Sequence, residues 1–81
     1  MKVVDTESRE QMTMNKIIKQ IMREKNLAQY DMQQLLEMRS QSGVSQALRR
    51  DMKISTALRF LNVLGCKLIV EYDDRQYEVT E

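Results

Sequence analysis

The chain has no histidine, one cysteine and two glycines in 81 residues, and each shortage removes a class of chemistry. Without histidine, neither a Ser-His-Asp triad nor a common zinc site can be assembled. The lone Cys66 makes no internal disulfide and no four-thiolate cluster. Gly43 and Gly65 alone cannot supply a glycine-rich loop that cradles phosphates. No apolar run approaches the roughly 18–20 residues that span a bilayer, and the first residues lack the basic, apolar, then small-residue order of a secretory signal. These absences predict a protein that is not an enzyme, holds no cofactor or metal and works in a reducing cytoplasm.

What is present is globular: hydrophobic residues make up 42% and charged residues 31%. A chain this short makes one domain with a small core, and a partner subunit is the simplest source of extra support. The net charge is only +1, but the charges are unevenly placed. Residues 1–12 carry two basic and three acidic groups, residues 13–53 eight and four, and residues 54–81 three and five. A basic middle between acidic ends suits one face made for phosphates and another kept away from them; an ordinary solvated surface is the alternative.

Residues 1–12 have no sustained period and are read as an arm or leader, with a short strand at Lys2 to Val4 as one option. From Thr13, an N-cap, the apolar residues Met14, Ile17, Ile18, Ile21 and Met22 follow helical spacing, predicting a first helix that ends near Lys25 and Asn26. A second helix is predicted from Ala28 to Met38, burying Met32, Leu35, Leu36 and Met38. The polar stretch Arg39 to Gly43 should reverse the chain, and a third short helix turns Val44, Ala47 and Leu48 inward. Ser55 is the expected cap of a fourth helix, with Leu58, Leu61 and Leu64 on its stripe, Phe60 widening it, and Gly65 ending it. Residues 66–81 then alternate as a hairpin: Leu68, Val70 and Tyr72, a turn at Asp73-Asp74, and a return over Arg75 to Thr80. A lone hairpin is marginal in water, so this one needs the helical core or the same hairpin of another subunit.

Several of these segments resemble the Xre or Cro-like phage-repressor family. The matching pieces are Ile17-Ile18-Lys19-Gln20-Ile21, Leu27-Ala28-Gln29, Leu35-Leu36, Gln41-Ser42-Gly43-Val44-Ser45, and Met52-Lys53-Ile54-Ser55 followed by Leu58, Leu61 and Leu64. The family's glycine-led strand corresponds to Gly65-Cys66-Lys67-Leu68-Ile69-Val70, so the similarity covers about residues 14–72. It implies a mainly α fold: a four-helix, Cro/repressor-like helix-turn-helix core over residues 13–65, with a C-terminal β-hairpin as a possible dimerisation element. Two residues depart from the pattern, Gln33 where the family has a small alanine and Glu37 where it has a turn glycine, and the turn is one residue longer. Because glutamate is a poor left-handed residue, the second helix is expected to run past Glu37 and the reversal to fall at Arg39 or Ser40.

In such a module the second helix of the pair enters the major groove of duplex DNA. Gln41 and Gln46 have amides able to pair with adenine, Arg49 can reach guanine or phosphate, and Ser42 and Ser45 suit either base edges or phosphates. Ser40 opens the same segment, and Arg39, Arg50 and Lys53 add attraction without sequence preference. The resemblance places Gln29 at a phosphate contact near a helix N-terminus. For each of these residues, an ordinary solvated helix face is the competing explanation. Gly43 either lets the backbone approach DNA or merely starts a helix. The seven methionines fit gap-filling better than a promiscuous groove, and Cys66 fits a small buried apolar group better than a reactive thiol. Glu71, Asp73 and Asp74 read as a charged hairpin tip that discourages edge pairing, rather than a weak cation site.

The expected function is a sequence-specific double-stranded DNA-binding transcriptional regulator, a repressor acting as a homodimer on an inverted repeat. Two alternatives share the fold: an antitoxin that binds both DNA and a toxin, and a phage-encoded protein-interaction or inhibitor module without DNA affinity.

Overall fold

The computed structural model describes residues 12–81, so the arm expected over residues 1–12, apart from Met12, and the optional strand at Lys2 to Val4 lie outside the described residues. Among the described residues four helices come first, α1 (Met14–Glu24), α2 (Gln29–Leu36), α3 (Gln41–Arg49) and α4 (Ile54–Val63). Strands β1 (Ile69–Tyr72) and β2 (Arg75–Glu78) follow as one antiparallel hairpin. The chain is mainly helical with a small C-terminal hairpin. None of its described helices is long and apolar enough to cross a membrane.

Each helix contributes one apolar stripe to a common core. Ile18 and Met22 come from α1, Met32 and Leu36 from α2, Val44 and Leu48 from α3, and Phe60 and Leu61 from α4, with Leu64 just beyond it. No polar or charged residue among the described ones is fully buried, so cohesion is almost wholly hydrophobic. Burying a side chain of this size contributes about 1.5–3 kcal/mol. Methionine acts as gap filler here: Met22 and Met32 are buried, and Met14, Met38 and Met52 pack against the core from its edge. Cys66 is only half-buried at that edge, where its thiol faces the Leu64 carbonyl at 3.6 Å. It sits above the core because the hairpin begins to leave the helices at this point.

Helix ends explain the connections. Thr13 caps α1, its hydroxyl accepting the Lys16 amide at 3.3 Å, an interaction worth about 1 kcal/mol. The helix then closes at Asn26, which has φ 58°; the Leu27 amide bonds back to Met22 O and the Asn26 amide to Arg23 O. The same two-bond closure ends α4 at Gly65 (φ 74°), where the Cys66 amide reaches Leu61 O and the Gly65 amide reaches Asn62 O. Asparagine and glycine are the residues that tolerate this left-handed step.

The third such closure corrects an expectation. Helix α2 does not continue to Met38; it stops at Leu36, and Glu37 itself takes the left-handed conformation (φ 56°, ψ 43°). The Met38 amide bonds to Gln33 O at 3.0 Å and the Glu37 amide to Gln34 O at 3.2 Å. Two long side chains hold the strained step from outside the backbone. The Gln33 amide donates to the carbonyls of Met38 and Arg39, each at 3.3 Å, and Arg59 of α4 donates to Leu36 O at 3.3 Å. Gln33 thus reaches across the turn and bonds the two carbonyls that follow the left-handed step.

Two smaller expectations also change. Leu35 is 47% exposed, because α2 turns its Met32 and Leu36 stripe inward and leaves Leu35 on the flank. Helix α4 is capped at Lys53 rather than Ser55; the Ala57 amide bonds to Lys53 O at 2.9 Å, which puts Ser55 inside the first turn.

The hairpin register pairs Ile69 with Glu78, Val70 with Tyr77, Glu71 with Gln76 and Tyr72 with Arg75, leaving Asp73 and Asp74 as the turn. Asp73 has φ 55°, as a tight hairpin turn requires at its first central position. Every residue of both strands is exposed. Among the described residues, the hairpin meets the helices only at its base, where Leu68 packs against the core and the Val79 amide bonds to Leu68 O at 2.8 Å.

Replacing Glu37 with glycine removes a left-handed non-glycine residue at a cost in side-chain contacts that is small, since Glu37 is exposed. Glu37→Gly is expected to stabilise the fold by about 1 kcal/mol and raise the melting midpoint by roughly 4–8 °C. A lowered midpoint in thermal denaturation would show that position 37 is an ordinary helical residue.

Candidate nucleic-acid interface

Helix α3 has two fully buried residues, Val44 at 0% and Leu48 at 2% exposure. Their spacing of four points both at the core, with Ala47 half-buried beside them. Gln41, Ser42, Ser45, Gln46 and Arg49 then fan over roughly 140° of the opposite surface at 3.6 residues per turn. Gln41, Ser42, Gln46 and Arg49 are exposed and Ser45 is half-buried. No acidic residue lies in this helix.

The basic groups flank that face. Arg39 stands exposed in the turn before α3, Arg50 is the exposed residue after it, and Lys53 is exposed at the start of α4. Arg49 lies folded along the helix, its guanidinium donating to Ser45 Oγ at 3.0 Å and to Ser45 O at 3.5 Å. That contact joins the two side chains into one polar unit. Before α3, the hydroxyls of Ser40 and Ser42 share a hydrogen bond of 2.8 Å. Ser40 therefore occupies the N-cap position without its side chain bonding a backbone amide, while its carbonyl accepts the Gly43 amide at 3.2 Å.

Gln29 stands apart from this cluster, half-buried in the first turn of α2. It lines an open groove with Lys19, Arg23 and Leu48. The end of α2 already carries an acidic group: Asp31 accepts the Ala28 amide at 2.8 Å. Lys19 and Arg23 of α1 bring positive charge to that groove, and Asp31 is not among its lining residues. Nine of the ten expected residues thus fall on one stretch, from Arg39 to Lys53, and Gln29 lies on the neighbouring helix.

Gly43 has its Cβ position 2.9 Å from Met38 Cε. The obstacle is the mobile end of a methionine, so the glycine is not demanded by packing alone, and its φ is not in the left-handed region.

Residue-by-residue reading of the sequence missed the groups that hold α3 in place. Asn15 of α1 donates from Nδ2 to Leu48 O at 2.9 Å, to Ala47 O at 3.4 Å and to Arg50 O. Gln33 and Arg59 brace the turn on the other side. A signal for Asn15 was present: it sits three and seven residues before Ile18 and Met22, on the apolar stripe of α1, where a polar side chain must find a partner.

No protein-family model matches this chain, and neither does any curated protein or solved structure. Among the described residues, no group of three or more acidic or cysteine side chains is arranged to hold a metal ion.

Proposed function

We propose that this protein is a sequence-specific double-stranded DNA-binding regulator in which α2, the four-residue turn 37–40 and α3 form a helix-turn-helix of the Xre or Cro-like type. The observation that carries this is the outward face of α3: amide, hydroxyl and guanidinium groups on one side of a helix whose other side is locked in the core, with Arg39, Arg50 and Lys53 around its rim. A helix fits the major groove of B-form DNA, and amide and guanidinium groups match adenine and guanine edges there. Gln41, Ser42, Ser45, Gln46 and Arg49 read base edges, while Arg39, Ser40, Arg50, Lys53 and Gln29 hold phosphates.

The protein acts as a homodimer and as a repressor, covering a promoter by placing two α3 helices in half-sites about 34 Å apart. The hairpin supplies the contact. Residues directly opposite in an antiparallel pair share a face, so Val70, Tyr77 and Tyr72 form one apolar surface, continuous with Leu68 at the base. Val70, Tyr72 and Tyr77 are 51%, 63% and 49% exposed, and among the described residues no helix packs on either strand. A second copy is the occupant this surface fits, because an isolated two-stranded hairpin is marginal in water and the single core is small. The same exposed face favours one further reading, an antitoxin whose hairpin holds a toxin.

Fluorescence anisotropy with a labelled mixed-sequence duplex tests DNA binding. Affinity is expected to fall steeply as salt rises, and Arg50→Ala to lower the slope of log K against log salt by about one. Absence of salt-dependent binding favours the protein-interaction module and removes this proposal. Light scattering tests the dimer: the wild type is expected at twice the chain mass and Tyr77→Glu at the single mass, with weaker DNA binding. A monomeric wild type removes the half-site arrangement and leaves the hairpin face to another protein.

A further inference from the structure

We propose that Asn15 is the positioning residue that fixes the angle of α3, and that the sequence preference of the protein depends on it without Asn15 touching DNA. The inference rests on the DNA-binding reading of α3. Helix α3 is tied down in three places. Its N-terminal end follows the turn braced by Gln33 and Arg59, and its middle is held by Val44 and Leu48 in the core. At its C-terminal end the chain leaves the helix at Arg50 (φ −110°, ψ 161°), so the last carbonyls have no following turn to bond with.

Asn15 takes over those carbonyls. Its Nδ2 lies 2.9 Å from Leu48 O and 3.4 Å from Ala47 O and also bonds Arg50 O. Three acceptors converge on a nitrogen with two protons, so the amide has no spare donor and any tilt of α3 weakens at least one contact. Apolar contacts resist separation but are non-directional, whereas hydrogen bonds weaken sharply as their angles open. The core therefore sets how close α3 lies to α1, and Asn15 sets how it is turned. Gln46 and Arg49 lie toward the Asn15 end of a nine-residue helix, up to about 12 Å from its braced N-terminal end at 1.5 Å per residue. A tilt of about 5° about the braced end moves Arg49 by about 1 Å and Gln46 by somewhat less, enough to spoil a bidentate base contact but not a contact with a phosphate.

The test uses the full chain, a duplex enriched by the wild type from random DNA, and an unrelated duplex of equal length. Asn15→Leu keeps an apolar stem on the α1 stripe and removes the donor; Asn15→Asp keeps the shape and turns an acceptor toward the carbonyls. In each folded variant the enriched duplex is expected to bind at least tenfold more weakly. Affinity for the unrelated duplex should stay within about twofold of wild type and the salt slope should not change, since no phosphate contact is lost. A wild-type ratio between the two duplexes in either folded variant overturns the proposal, and so does failure of both variants to fold, which would make Asn15 a folding residue. The clamp itself is read in the wild type without DNA, by NMR coupling across the hydrogen bond from Asn15 Nδ2 to the Leu48 carbonyl carbon. A missing coupling overturns the positioning role whatever the protein binds. A detected coupling in a protein that binds neither duplex removes the DNA-binding reading and, with it, the effect on sequence preference.

Discussion

Val44 and Leu48 are the two side chains by which α3 is sunk into the core, and they govern the rest of the molecule's surface chemistry. A nine-residue helix with its only two large apolar residues on one side must turn the other side to solvent. That side carries Gln41, Ser42, Ser45, Gln46 and Arg49. Because no buried polar group shares the described core, apolar burial alone fixes the depth of the helix. Hydrogen bonds from Asn15, Gln33 and Arg59 are then left to define its ends. Depth and direction are thus controlled by different forces from different helices.

Much of this order was legible from residue spacing. The four helices follow from apolar stripes of helical period, the ends at Asn26 and Gly65 from residues that accept a left-handed step, and the hairpin from alternation around Asp73-Asp74. What escaped was the turn before α3. Local propensity disfavours Glu37 in the left-handed region, yet the chain reverses there because Leu36 is drawn into the core and Gln33 and Arg59 bond the carbonyls on both sides of the step. Those bonds span up to 23 positions in sequence and have no periodic signature. Leu35 misled for a related reason: the spacing to Met32 fits Leu35 and Leu36 equally well, and the packing of the other helices buries only Leu36.

The candidate interface was legible as composition more than as geometry. A basic central segment with glutamines and serines identified the stretch from Arg39 to Lys53, and its side chains stand exposed or half-exposed on one helix and its flanks. The folded-back Arg49 and the Ser40–Ser42 hydrogen bond could not be anticipated, since both depend on side-chain rotamers. The hairpin adds the complementary feature. Its apolar face and its acidic tip are on a projection that, among the described residues, meets the helices only at its base, so contacts made there do not compete with the basic face of α3. Proposed DNA binding and proposed self-association therefore use separate surfaces, and a protein partner on the hairpin would leave α3 free.

The central claim is that the outward face of α3 meets DNA. The most direct measurement is an NMR titration of the isotope-labelled chain with a short duplex, following every backbone amide. The account predicts the largest shifts from Arg39 to Lys53, a smaller set near Gln29, and little change at Val70, Tyr72 and Tyr77 beyond what dimerisation causes. Shifts confined to the hairpin, or none at any DNA concentration, would contradict it.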